Sequence, residues 1–395
     1  MFTEAVWPTS HILAGQVAGD SVACAQVFTQ SPQRFARRLL GSSLAEALTT
    51  PHGVDRYVEL VRPAFSLRNV RAEVVAVRRA TARSVTVTLR PNANWDGFRA
   101  GQFVRLSTEI GGVRHTRCYS PASSARAAEL IELTAHAQPA GVVSPFLRAS
   151  TRPGTVVSLS QAEGDFALPD ERPEQLLLIS GGSGITPVMS MLRTLCHEGY
   201  RGRVAFLHYA RDEHDVAYAR QLAELAAGHS NVRLLRGYSR QPGAGELEGR
   251  FERAHVRTAG VDPGEALTFA CGPTALLDAV RSTWADDGLE QRLHVEQFTP
   301  PAPAHLDAGG HVAGSLRFAR SGVEATGTAA PLLDQAEAAG LTPTSGCRMG
   351  ICHTCTCRKL EGAVRDLRTG EVSTAPDELI QICVNAPIGD VTLDI

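Results

Sequence analysis

Residues 346–357, GCRMGICHTCTC, hold four cysteines in twelve positions, and Cys383 follows further on. Cys347, Cys352 and Cys355, taken with Cys383, have the C-x4-C-x2-C…C spacing of four thiolates that hold a [2Fe–2S] centre. A segment that delivers three ligands to one small group must wrap around it, so neither a helix nor a strand fits there. Gly346 and Gly350 are expected to supply the dihedrals that turn backbone N–H groups toward the sulfurs. A structural zinc site and incidental reduced thiols are the competing readings. The four-residue gap does not match the paired C-x2-C of zinc sites. Cys357 is left over and reads as a small apolar core residue. The remaining cysteines, Cys24, Cys118, Cys196 and Cys271, are scattered. Nine cysteines, odd in number and clustered in this way, argue against a disulfide framework. The expected compartment is therefore one that keeps thiols reduced, the cytoplasm.

A chain of 395 residues is long enough for two or three domains. A formal net charge of −2 leaves no electrostatic footprint for nucleic acid. Apolar runs such as LLLI at 176–179 are far too short to cross a bilayer. The first residues lack the basic and apolar regions of a signal peptide.

The hydrophobic period divides the chain. Residues 1–70 read as an extension with helical spacing at 33–48 and a short helix at 54–61. A packed extension is the plainer reading, and a docking surface for a partner or membrane, through Arg37 and Arg38, is the other. From 71 to 170 the period is two. SVTVTL at 84–89 sets Val85, Val87 and Leu89 against Thr86 and Thr88, the pattern of a half-buried strand. With strands at 101–107 and 128–137, this region is expected to form an antiparallel β-barrel. From 171 to 298, apolar runs at 176–180, 203–209, 231–235 and 266–270 alternate with helical stretches, which predicts an α/β doubly wound parallel sheet. Residues 299–310 read as a linker. Residues 311–395 read as a small α+β domain with one helix at 331–340.

The last domain resembles the plant-type ferredoxins, which implies a β-grasp fold and Cys347, Cys352, Cys355 and Cys383 as metal ligands. RCYS at 117–120 resembles the R-x-Y-S motif of the ferredoxin–NADP reductase family, and GVVS at 141–144 resembles its G-x-x-S motif. The resemblance implies that Arg117 clamps a flavin pyrophosphate, that Tyr119 stacks on the isoalloxazine, and that Ser120 lies at N5. It also implies that Gly141, Val142, Val143 and Ser144 present a helix N-terminus to phosphate, with His136 near the cofactor. The pyrophosphate site favours FAD over FMN. GGSGITP at 181–187 is similar to the family's nucleotide loop, through Gly182, Gly184 and Thr186. CGP at 271–273 matches its second signature, Cys271, Gly272 and Pro273, with Cys271 near the nicotinamide. HVEQF at 294–298 resembles the family's closing segment, which implies an acid, Glu296, at the catalytic site and Phe298 against the flavin. The family's plant members often end on Tyr at that point, whereas this chain has Phe and continues. Arg211 and Arg220 favour NADPH over NADH, since a 2′-phosphate calls for arginine, although Asp212 stands beside them.

The order of these parts resembles the reductase components of di-iron oxygenases, and most closely the actinobacterial reductases of membrane stearoyl-CoA desaturases. The resemblance implies an enzyme that oxidises NADPH and passes electrons through FAD and a [2Fe–2S] cluster to a di-iron acyl-CoA desaturase. A reductase for a di-iron or Rieske hydroxylase or monooxygenase is the alternative. A non-enzymatic redox sensor is the rival from another class. Any membrane contact is expected to be transient and made through the partner.

Overall fold

A computed structural model describes residues 53–127, 129–138, 141–298 and 314–395, together with Thr49. The expected helix at 33–48, Arg37, Arg38, Cys24 and the linker at 299–310 lie outside the described residues. The chain forms two compact units, Met1–Val61 and Arg62–Ile395. In the first, α1 (Gly53–Glu59) forms where a helix was expected.

The second unit opens with six antiparallel strands: β1 (Val70–Thr81), β2 (Ser84–Pro91), β3 (Val104–Ile110), β4 (Val113–Tyr119), β5 (Ile131–His136) and β6 (Val156–Leu159). Their order is β4-β3-β6-β1-β2-β5, and the sheet curls until a bridge between Pro121 and Leu133 brings its two edges together. The expected barrel is thus present. Val74, Val87, Leu89, Val104, Leu106 and Leu133 fill it. A short helix, α2 (Val143–Ala149), plugs one end with Val143 and Leu147.

The alternation in β2 holds, but Thr86 does not face solvent. It is buried and hydrogen-bonds to Thr134 Oγ1 at 2.7 Å, and Thr134 in turn bonds to the Tyr218 hydroxyl. The polar face of β2 is covered by the next domain.

That domain contains β7 (Gln175–Gly181), α3 (Ile185–His197), β8 (Arg203–Ala210), α4 (Ala219–Gly228), β9 (Val232–Tyr238), β10 (Leu247–Glu248), α5 (Arg253–Ala259), β11 (Leu267–Cys271), α6 (Thr274–Asp286) and β12 (Leu293–Glu296). All its strand pairs are parallel, in the order β10-β9-β8-β7-β11-β12. A parallel sheet covered on both faces needs apolar side chains on both. Accordingly Leu176 and Leu178 enter one core while Leu177 and Ile179 enter the other. The first core also takes in Ala122, Phe166 and Leu168 from the barrel side, so the two domains share packed interior. The strand order reverses between β7 and β11, the place where open α/β sheets bind ligands.

Residues from 314 onward form β13 (Ser315–Phe318), β14 (Val323–Thr326), α7 (Leu332–Ala338), β15 (Thr356–Asp366), β16 (Val372–Ser373), β17 (Glu378–Gln381) and β18 (Asn385–Leu393). The mixed sheet runs β14-β13-β18-β15-β16 and packs Leu316, Val364 and Val391 against Leu332, Leu333 and Ala336 of α7. Among the described residues, no helix is long and apolar enough to cross a membrane.

Candidate functional site

At the switch between β7 and β11, the two glycine motifs form one packed unit. Gly182 has φ +54° and opens a 3-10 turn, Gly182–Gly184, leading into α3. A Cβ on Gly184 would sit 2.2 Å from the Cys271 carbonyl oxygen, and one on Gly272 would sit 3.1 Å from Gly181 N. Glycine is required because two backbones touch there. In front lies a cleft of about 530 Å³ lined by Gly182, Thr186, Arg211 and Pro273, with His136 on the barrel wall. His136 Nδ1 is 3.0 Å from Ser84 Oγ.

Arg211 lines this cleft and pairs with Asp215 at 2.7 Å. Arg220 does not line it. Its side chain is 89% exposed on α4 and pairs with Glu224 at 3.3 Å. The cleft also holds Ser239 and Arg250, which sequence reasoning missed. They come from the loops after β9 and β10, and no spacing rule connects them to the glycine loop.

The parallel register places Cys271 beside both Ser180 and Glu296. Ser120, just beyond β4, comes from the barrel to the same place. Its Oγ lies beside the Glu296 carboxyl but outside hydrogen-bond geometry, and Ser120 Oγ and Glu296 Oε2 are both buried without a partner among the described residues. Burial pushes the Glu296 carboxyl up to about 8, so it is protonated at neutral pH. Burial, and then the Glu296 charge, also raise the Cys271 thiol. Phe298 is half-buried against the core shared by the two domains. A hydroxyl, a thiol and a carboxyl with unspent hydrogen-bonding capacity at a domain junction suit a polar planar ligand such as a flavin. The neighbouring cleft, about 870 Å³, is lined by Phe103 and Glu163 of the barrel, Glu296 of β12, and Met349, Ile351 and His353.

Arg117 and Tyr119 lie on β4, an edge strand, and Tyr119 follows the barrel core. Arg117 Nη1 donates to Thr116 O at 2.7 Å and to Gly346 O at 3.3 Å. Its Nε and Nη2 make no protein hydrogen bond among the described residues, and remain able to meet an anion. GVVS does open a helix. Val143 and Ser144 are buried and Val142 is exposed, while Ser144 Oγ accepts from the Gln138 N–H at 3.2 Å. Gly141 closes the preceding turn through its own N–H to Gln138 O at 2.9 Å.

Cys347, Cys352 and Cys355 of the loop at 346–357 and Cys383, which comes in just before β18, are all buried. Cys347 N–H donates to Cys352 Sγ at 3.1 Å, and Met349 and Cys352 N–H donate to Cys347 Sγ at 3.3 and 3.4 Å. Cys355 and Cys383 form the second pair. The Cys118 and Cys347 sulfurs beside it hold the Cys352 thiol well below its ordinary range, toward the thiolate that a metal ligand must be. Four thiols in two pairs, with amides aimed at the sulfurs, suit two irons with two ligands each.

The glycines act differently from the sequence expectation. Gly350 does take φ +70°, but Gly346 does not enter the left-handed region; a Cβ on it would sit 2.6 Å from Cys352 Sγ. Gly346 supplies room, and the tight bends fall on Arg348 (φ +59°) and His353 (φ +52°). Cys357 is buried in the domain core, as expected for a leftover apolar thiol. Cys118 is not merely scattered. Its Sγ and those of Cys347 and Cys352 all lie within 4.8 Å of one another.

Three family descriptions match successive stretches: an oxidoreductase FAD-binding domain at 75–168, an oxidoreductase NAD-binding domain at 178–282, and a 2Fe-2S iron-sulfur cluster binding domain at 318–384. The chain belongs to the ferredoxin–NADP reductase family of flavoproteins, in the form that carries a C-terminal [2Fe–2S] ferredoxin domain. It is similar to an NADPH oxidoreductase of Mycobacterium tuberculosis, 38% identical over 357 residues, covering 89% of this chain and 91% of that protein. It is also 31% identical to the glycine betaine monooxygenase reductase subunit of Pseudomonas aeruginosa, covering 75% of this chain and 87% of that subunit. Among solved structures, phthalate dioxygenase reductase shares the fold, with a TM-score of 0.58 and 21% identity, over 82% of this chain and 97% of that one. The protein is thus an NAD(P)H-dependent oxidoreductase that uses FAD and a [2Fe–2S] cluster to transfer electrons.

Proposed function

We propose that this reductase takes electrons from NADPH and delivers them, through FAD and the [2Fe–2S] cluster, to a di-iron acyl-CoA (stearoyl-CoA) desaturase. The observation that carries the relay is the contact between the cluster loop and β4: Arg117 of the flavin motif donates to Gly346 of the ligand loop. When bound, the flavin accepts a hydride and passes electrons on singly, and the cluster carries one at a time. Ser120, Cys271 and Glu296, together at the domain junction, would line the place where the flavin and nicotinamide rings react. The protonated Glu296 can donate a hydrogen bond there without placing a negative charge against incoming hydride. Arg117, whose Nε and Nη2 are not engaged by protein among the described residues, would hold the flavin phosphates together with the backbone at Gly141, Val142, Val143 and Ser144, and Tyr119 and Phe298 would hold the ring. Gly182, Gly184, Thr186, Cys271, Gly272 and Pro273 hold the dinucleotide, with His136 at its edge. Cys347, Cys352, Cys355 and Cys383 hold the irons.

NADPH is favoured by Arg211 and Arg250 in one cleft. The desaturase is favoured by the similarity of residues 345–364 and 373–384 to the actinobacterial reductases, and by the relative from an actinobacterium. The reading of a hydroxylase or monooxygenase reductase draws support from the similarity to the glycine betaine monooxygenase reductase subunit. Ferricyanide reduction with NADPH and NADH side by side tests the donor. Reconstitution with a membrane desaturase and, separately, with a soluble monooxygenase tests the acceptor. Good reduction of the monooxygenase with none of the desaturase would overturn the desaturase reading.

A further inference from the structure

Cys118 lies more than two hundred positions before Cys347 in sequence, on an edge strand of the flavin barrel, yet its sulfur is within 4.8 Å of the Cys347 and Cys352 sulfurs. The seat around it is specific. Arg105, on β3, directs Nη1 to Cys352 O and to Thr354 Oγ1, both at 3.4 Å, and Nη2 to Glu163 at 2.6 Å. Arg117 reaches Gly346 O at 3.3 Å. Two arginines of the barrel thus hold the backbone on either side of the Cys347–Cys352 pair, and the barrel's thiol points at the pair itself. The residue between Arg and Tyr in the flavin motif has no role toward flavin in the arrangement above, so its identity is free to serve the cluster.

We propose that Cys118 is a positioning residue for the cluster, donating its S–H from the flavin barrel to the Cys347 and Cys352 thiolates. A hydrogen bond to a ligand thiolate stabilises the reduced, more negative centre more than the oxidised one, and hydrogen bonds to the sulfurs are among the factors that set a cluster's potential. The donor belongs to the domain that supplies the electron. The cluster therefore accepts electrons more readily while its loop is seated on the barrel than it would away from it. One hydrogen bond of ordinary net strength shifts the electron equilibrium by about fivefold, which is about 40 mV at 59 mV per tenfold for one electron.

The inference rests on Cys347 and Cys352 being ligands, which Cys352→Ser tests independently through the cluster's visible absorbance. The test of Cys118 itself is an EPR-monitored redox titration of the full-length, flavin-loaded protein as wild type, Cys118→Ala and Cys118→Ser. The alanine variant lacks a donor, and its cluster potential should fall by about the amount above. The serine variant keeps a donor and should stay near or above wild type. Equal potentials in all three proteins, or equal falls in both variants, would overturn the proposal. If alanine prevents cluster loading and serine restores it, the donor is confirmed as a requirement. Loss of the cluster in both variants would overturn the proposal by making Cys118 a ligand or a packing group.

Discussion

Replacing Glu296 with Gln should make the protein more stable at neutral and alkaline pH, although it removes a charged residue type from the proposed catalytic site. The ordinary value for this carboxyl is 4.5, and burial raises it to about 8 in the folded chain. Below pH 4.5 the group is protonated in both folded and unfolded chains and contributes no difference. As pH rises, the unfolded chain ionises while the folded one does not, so folded stability is lost progressively until about pH 8. At about 1.4 kcal/mol per pH unit, the penalty is about 3 kcal/mol at pH 7 and about 5 kcal/mol above pH 8. Gln has nearly the same shape and never ionises. Glu296→Gln should therefore match wild type near pH 4.5 and exceed it by about 3 kcal/mol at pH 7, or about 4 °C in melting midpoint for a unit as large as Arg62–Ile395, at about 2.1 cal/mol/K of unfolding entropy per residue. The assay is thermal unfolding of both proteins from pH 5 to 9, read as the difference in midpoint, because other titrating groups cancel in the difference. Parallel pH curves for the two proteins would refute the buried, unpaired state of this carboxyl. So would a variant that is the less stable of the two at pH 8.

Other perturbations test the remaining parts. Cys352→Ser should abolish the visible iron–sulfur absorbance while flavin absorbance persists, and NADPH-dependent ferricyanide reduction should largely survive because it can bypass the cluster. Gly184→Ala drives a Cβ to 2.2 Å from the Cys271 carbonyl; displacing the nucleotide loop should lower kcat/KM for NADPH roughly tenfold to a hundredfold, with flavin content unchanged. Lys359, the one lysine of the chain, is fully buried and donates to Gly362 O at 3.0 Å and Ser373 O at 3.2 Å, with Glu378 at 3.5 Å. Lys359→Met removes the buried cation and its bonds to Gly362 O and Ser373 O, and should destabilise the ferredoxin domain by about 3 kcal/mol, seen as cluster bleaching at a lower temperature than in wild type.

What the sequence determined by itself was whatever a short stretch of chain decides. The cluster loop was legible because three of its ligands fall within nine residues, and their spacing is set by how one backbone bend surrounds two irons. The glycine loops and the alternation of strand and helix were legible for the same reason: period and turn chemistry act over neighbours. Tertiary structure decided the rest. Thr86 reads as a solvated strand residue because its own strand alternates, but a second domain covers that face. Gly346 reads as a source of unusual dihedrals, and only the position of the Cys352 sulfur shows that it supplies space instead. Arg211 and Arg220 look equivalent in sequence, yet helix α4 carries Arg220 away from the cleft, and the loops after β9 and β10 bring Ser239 and Arg250 in. Cys118 reads as an isolated thiol until the ferredoxin domain is seated on the barrel. Burial, too, belongs to the assembled molecule: the carboxyl of Glu296 and the ammonium of Lys359 have ordinary chemistry along the chain, and only removal from water by distant segments gives one its raised pKa and the other its obligatory partners.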